Sequence, residues 1–177
     1  GGTGGGFYSD GGGLLQFTYC SFEQNAATGG GGGAAIRDAV EPVFTECSFT
    51  SNSAEFDGGG LFAWFGCTPV VTDCTFSGNT AGAGGGAAIR NESTPVLTRC
   101  TFTGNEAGTH GGGLFTYFGT TPTVTDCSFT GNTANEGGGA AHHGGGGVFD
   151  TCAFENNTAD YGGGLLDNLD GAVTVQN

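Results

Sequence analysis

The sequence predicts an all-β fold: a parallel β-helix, or solenoid, of about six to seven coils of 25–27 residues with three short strands per coil. Three observations predict it. Cys20, Cys47, Cys74, Cys100, Cys127 and Cys152 recur at spacings of 27, 27, 26, 27 and 25 residues. Each opens a unit that reads C-[STA]-F-x-x-N-x-A, then a glycine triplet, then a variable apolar run, then usually T-P-V-x-T. Three adjacent glycines would cost about 1 kcal/mol each inside a helix, so the repeat is not helical.

Within a unit, the run around each cysteine comes first. In 98–102 (TRCTF) the residues alternate, which places Cys100 and Phe102 on one face and Thr101 and Thr103 on the other. The second strand follows the glycines. The third is PVVTD or PTVTD, and Pro69, Pro95 and Pro122 set its entry. Glycine and asparagine, which tolerate positive φ, occupy the turns. A truncated unit precedes Cys20.

Stacking the units in register puts equivalent residues about 4.8 Å apart and makes a rod about 30 Å long. Phe22, Phe49, Phe76, Phe102, Phe129 and Phe154 then form an aromatic stack in the core. Asn25, Asn52, Asn79, Asn105, Asn132 and Asn157 form an amide ladder at a corner, each bonding its neighbour and the turn backbone. Ala27, Ala54, Ala81, Ala107, Ala134 and Ala159 fill a tight spot beyond it. The whole chain, 1–177, reads as one β-helix segment. The Gly-rich start and the strand-like VTVQ near the end suggest a piece of a longer solenoid with uncapped ends.

Composition narrows the function. The 177 residues include 40 glycines without a Gly-X-Y period, and 36% hydrophobic content with 15 phenylalanines argues for a packed core. There are three arginines and no lysine against 17 acidic residues, a net charge of −14. That balance argues against nucleic acid and anionic membrane surfaces as partners. No apolar run reaches membrane-spanning length. An extracellular or cell-surface location follows as the expectation.

The F-x-x-N motif in all six units, paired with GGGAAI (31–36 and 84–89), resembles the repeats of the polymorphic outer membrane protein family, and more broadly right-handed parallel β-helix repeat proteins of the cell surface. GGGLF (58–62 and 111–115) departs from that motif. The resemblance implies a right-handed β-helix; the fold hosts adhesins, lyases and passive stalks alike, so function must come from sites.

The six column cysteines face the core. Rows about 4.8 Å apart fall inside the disulfide window, so pairs such as Cys20–Cys47, Cys74–Cys100 and Cys127–Cys152 are one reading and a buried thiol ladder is the other. Cys67 stands outside the column, as an incidental core residue, a free thiol or a cross-link to another chain. No C-x-x-C pattern points to a metal. His142–His143 could bind a metal, although an adjacent pair in a Gly-rich loop is a weak signal for one, and His110, near Glu136 in the next coil, reads as a solvated side chain.

Three surfaces are candidates for function. Four residues after each triplet the column runs Arg37, Trp64, Arg90, Tyr117, His143, Asn168, alternating cationic and aromatic groups that can stack as cation–π pairs. With Phe62 and Phe115 on the same face, this is an interface or ligand stripe, or a satellite core under the following loop. The residue before each cysteine (Glu46, Asp73, Arg99, Asp126, Thr151) forms an outward column of the sheet. There Asp73, Arg99 and Asp126 suit either a salt-bridge ladder or a lyase with carboxylate-bound Ca²⁺; otherwise no cofactor is expected. Ser48, Thr50, Thr75, Ser77, Thr101, Thr103, Ser128 and Thr130 form a Thr/Ser ladder like an ice-binding face. Asn91 and Asn156 match the glycosylation sequon.

The expectation is a non-enzymatic extracellular structural or adhesive β-helix that builds a filament, sheath or stalk. Its partners would be copies of itself, neighbouring surface proteins or carbohydrate. A carbohydrate lyase or epimerase and an ice-binding protein are the alternatives.

Overall fold

The computed structural model describes residues 2–38, 40–168 and 173–176. It holds no helix among them; every regular element is a strand, and every pairing is parallel. Four sheets run along the rod. Sheet 1 contains Phe7–Asp10, Ala34–Arg37, Leu61–Trp64, Ala87–Arg90, Leu114–Tyr117, Ala140–His143 and Leu165–Asn168. Sheet 2 contains Leu14–Thr18, Glu41–Thr45, Val70–Thr72, Val96–Thr98, Thr123–Thr125, Gly147–Asp150 and Val173–Gln176. Sheet 3 holds the cysteine-led strands Ser21–Glu23, Ser48–Thr50, Thr75–Ser77, Thr101–Thr103, Ser128–Thr130 and Ala153–Glu155.

The fourth sheet was not expected. It consists of the two-residue strands Ala26–Ala27, Ser53–Ala54, Thr80–Ala81 and Glu106–Ala107, which follow the asparagine corner. Two residues carry no readable alternation, so three strands per coil understates the coil by this short run. The anticipated alanine column lies in and beside it.

The corners follow from backbone conformation. The residue before each column cysteine is left-handed: Tyr19, Glu46, Asp73, Arg99, Asp126 and Thr151 have φ between 51° and 56°. That turns the chain from sheet 2 to sheet 3, so this column sits on a corner and not on a sheet face. The residue before each column asparagine is left-handed too, at Gln24, Ser51, Gly78, Gly104, Gly131 and Asn156. In three of those six units it is glycine, which takes this conformation without steric cost.

The triplet glycines are required by stacking as well as by φ. A Cβ on Gly85 would lie 2.4 Å from the Glu106 carbonyl oxygen and 2.6 Å from that of Gly112, both in the next coil. Backbone meets backbone there at a distance no side chain can share.

The interior contains the expected ladders. The column rings from Phe22 to Phe154 stack with centroids 4.6–4.8 Å apart and planes within 2–6°. Such pairs add about 0.5–1.5 kcal/mol each beyond burial. Phe17, Phe44, Val71, Leu97, Val124 and Phe149 of sheet 2 close the core opposite them. In the amide ladder the Asn79 Nδ2 donates to Asn105 Oδ1 at 2.9 Å and to the Phe49 carbonyl at 2.9 Å, while the Asn79 backbone N–H also donates to Asn105 Oδ1 at 3.0 Å. The same set recurs at Asn52, Asn105 and Asn132. Buried amides are thereby satisfied coil to coil, which fixes the register.

In this structure the column cysteines are free thiols, and the pairs Cys20–Cys47, Cys74–Cys100 and Cys127–Cys152 are unbonded. Each thiol instead donates to a backbone carbonyl: Cys47 to Thr45, Cys74 to Thr72 and Cys127 to Thr125, all at 3.3 Å, and Cys100 to Val71 at 3.3 Å. The sulfurs of Cys74 and Cys127 also accept backbone N–H groups from the preceding coil. Burial pushes the Cys74 thiol up to about 12. That of Cys127 is also pushed up to about 12, by its hydrogen bond with Cys100 and by burial. Cys67 is buried as well, and its thiol donates to the Trp64 carbonyl at 3.1 Å, so no exposed sulfur is there to cross-link another chain.

Candidate functional site

The outer face of sheet 1 is where the repeat changes from coil to coil. Its strands alternate between AAIR and LFAW or LFTY. Inward, the first and third residues are Ala34 and Ile36, then Leu61 and Ala63, then Ala87 and Ile89, all buried. One large and one small residue per coil keeps the interior volume nearly constant. Outward, the second residue is Ala35, Phe62, Ala88, Phe115 and Ala141, so each phenylalanine has an alanine in the row above and below. The small neighbours let the rings lie flat.

The rings lie under the chain and not in solvent. Phe62 and Phe115 are buried with Ala35, Ala83, Ala88 and Ala141 as a second core cluster, with Trp64, Tyr117 and Leu166 packed against it. A Cβ on Gly30 would meet the Phe62 ring at 2.4 Å, which shows that the segment before the triplet folds over the ring. Of the two readings of this face, an exposed stripe and a satellite core, Phe62 and Phe115 follow the satellite core. Trp64 and Tyr117 are half-buried; Trp64 stacks on Phe62 at 4.2 Å and Tyr117 on Phe115 at 5.9 Å.

The cation–π alternation is present. The Arg37 guanidinium lies 5.8 Å from the Trp64 ring, and that of Arg90 lies 5.1 Å from Tyr117 and 5.7 Å from Phe115. Arg37 pairs with Asp10 and Asp38, and Arg90 with Asp57. One residue further along the chain, this face also presents aromatic rings to solvent. Phe65 and Phe118, both at positive φ, are about half exposed and flank a groove of about 530 Å³ with Gly66, Asn91, Glu92 and Tyr117. Nothing in the strand pattern marks these two residues, because they lie on the turn just after it.

A second groove, of about 570 Å³, lies along the other border of the sheet 1 face, lined by residues that include Asp57, Arg90, His110, Phe115, Tyr117 and His143. The position just before each triplet supplies Asp57, His110 and Glu136. Burial raises the Asp57 carboxyl above the usual range, and the Arg90 and His110 charges only partly offset that. His110 is half-buried and stacks on Phe115 at 5.2 Å, which corrects its reading as a solvated side chain. The His142–His143 pair lies on a strand and not in a loop, so its members face opposite ways. His142 is buried in the core, where its Nε2 donates to the Gly145 carbonyl at 2.9 Å and its Nδ1 accepts from the Thr116 hydroxyl at 2.7 Å. His143 faces outward beside His110 and Glu136, and burial lowers its basicity.

The other expected positions are dispersed. Arg99 forks onto Asp73 at 2.7 and 2.8 Å, holding the Asp73 carboxyl below its usual range, on a half-exposed corner away from both grooves. The Thr/Ser ladder is in register on sheet 3, as Ser48–Thr75–Thr101–Ser128 and Thr50–Ser77–Thr103–Thr130. A second outward column on sheet 2, Thr45, Thr72, Thr98 and Thr125, went unread because it lies in the proline-led strand. Asn91 lines the aromatic groove, and Asn156 is exposed at its corner.

With the coil geometry established, comparison with known families places the chain. Residues 2–159 match the family described as right handed beta helix region, and the chain belongs to it. The match supports the broader of the two likenesses read from the motifs. No curated protein and no solved structure matches the chain.

Proposed function

We propose that the chain is a non-enzymatic structural and adhesive rod of the cell exterior that holds carbohydrate chains along one flank. One observation carries the proposal: half-exposed Phe65 and Phe118 stand two coils apart, about 9–10 Å, with Asn91 and Glu92 between them in a single groove. Aromatic faces with a few polar groups between them are the chemistry that holds sugar rings. The rod itself supplies rigidity, since each coil is tied to the next by backbone, amide and ring ladders. The net charge of −14 favours neutral or cation-bridged glycans over polyuronates.

The test is affinity electrophoresis through gels containing neutral and acidic polysaccharides. Wild-type protein is retarded by at least one neutral polysaccharide, and the Phe65→Ser/Phe118→Ser variant runs freely. Equal migration of both proteins in every gel removes the adhesive reading.

The second groove favours a second reading, a carbohydrate-processing enzyme, because it gathers Asp57, Arg90, His110 and Tyr117. Asp73 and Arg99 are engaged with each other on an exposed corner. This reading predicts release of reducing ends from a polysaccharide, abolished by Asp57→Asn and unaffected by Asp73→Asn.

A further inference from the structure

The outer face of sheet 1 carries three metal-type donors whose contacts in the fold leave them under-used. His110 and Glu136 hold the same position in adjacent coils and face each other as a parallel bridge. His143 projects beside them from Ala140–His143. His110 Nε2 lies 3.4 Å and His143 Nε2 3.5 Å from the same oxygen, Glu136 Oε2. One donor atom from each of the three residues lies within 4.8 Å of the others.

Those two distances are too long for hydrogen bonds, which run at about 2.7–3.2 Å. The His143 side chain is only 8% exposed, and its Nε2 has no hydrogen-bond partner. A buried ring nitrogen aimed at a carboxylate without bonding it wants something between the two. A tetrahedral ion held at about 2.0–2.2 Å by histidine nitrogen and carboxylate oxygen has ligand-to-ligand edges of about 3.3–3.6 Å. The two distances fit such edges.

We propose that His110, Glu136 and His143 bind one divalent transition ion of the zinc type. Two imidazoles with one carboxylate oxygen suit such an ion, whereas Ca²⁺ and Mg²⁺ prefer oxygen alone. His110 and His143 also line the groove of Asp57, Arg90 and Tyr117. The ion joins two coils, because His110 belongs to the coil opened by Cys100 and the other two ligands to that opened by Cys127. The rings are held in place: His110 lies flat on Phe115, and His143 meets His110 and Phe115 edge-on, at 4.7 and 5.4 Å. His142 takes no part, since both of its nitrogens are already bonded inside the core. None of the three ligands lines the groove at Phe65 and Phe118, which this site meets only through Tyr117.

The test uses the untagged chain, stripped with a chelator and titrated with zinc chloride by calorimetry, and with Co²⁺ followed by visible absorption. The expected result is one ion per chain with a Kd of about 1 μM or tighter, intense tetrahedral Co²⁺ bands, and a higher Tm with zinc than without. His110→Ala and Glu136→Gln, both at half-buried positions, each weaken binding at least about 10-fold while the metal-free Tm stays near wild type. His143→Gln does the same, and if it unfolds the chain the other two variants decide. A Kd weaker than about 1 mM, an octahedral Co²⁺ spectrum, or unchanged affinity in His110→Ala overturns the site.

Discussion

Two regions of the molecule follow different repeats. Inside, Phe76 stacks on Phe49 and Phe102, and Asn79 bonds Asn52 and Asn105, with the same residue type in every coil. Outside, along sheet 1, Arg37 is followed by Trp64, Arg90, Tyr117 and His143. Like residues gain from stacking on themselves at the row spacing, so the phenylalanine and asparagine columns have reason to stay constant. The outer face is held by contacts between unlike groups, Arg90 over Tyr117 or His110 on Phe115, and each coil there takes a different chemical part. The constant columns build the rod, and the changing column is where we propose that binding takes place.

The comparison breaks most visibly in the ring stack. Phe76→Ala leaves a cavity between two rings and costs about 3–5 kcal/mol, read as a lower denaturant midpoint at unchanged slope. A loss under about 1 kcal/mol would mean that the stack is not what holds the coils. Asn79→Ala is expected to rank second. It removes the Asn79 partner of the Phe49 carbonyl and of the Asn52 N–H, while the Asn52 side-chain amide keeps its bond to the Phe22 carbonyl, and the unpaired groups together cost about 1–3 kcal/mol. Equilibrium unfolding measures it, and a neutral result would show that water replaces the amide.

A smaller effect sharpens the account of alternation. Leu61→Ala opens a cavity and Ala63→Ile overpacks the same coil, so each alone destabilises. The pair restores the Ala34/Ile36 arrangement, and its cost is less than the sum of the singles by about 0.5–3 kcal/mol. A double-mutant cycle with no coupling would show that interior volume is not balanced coil by coil.

Most of the fold was legible because its signals are periodic. Phe, Asn and Cys columns spaced 25–27 residues apart can be stacked by eye, and they stack that way in the molecule. The fourth sheet was not legible, because two-residue strands show no alternation. The corner before each cysteine was misread as a sheet face, since Glu46, Asp73, Arg99 and Asp126 share a left-handed backbone but no residue type that signals it. The sites divide in the same way. The alternating faces of AAIR and LFAW were readable, whereas burial of Phe62 depends on a glycine segment whose path the sequence does not state. The His110–Glu136–His143 cluster had a signal: the residues just before each triplet, written as a column, place His110 directly before Glu136. Its third member shows only once His142 and His143 are put on a strand, where neighbours face apart.

The account rests on a division of labour between interior and flank, and the Phe65→Ser/Phe118→Ser variant tests it most directly. Its guanidinium unfolding free energy is predicted to lie within about 0.5 kcal/mol of wild type, because both rings are half exposed and outside either core cluster. A loss of more than about 2 kcal/mol would show that these rings hold the coils together, and would contradict the assignment of the flank to binding.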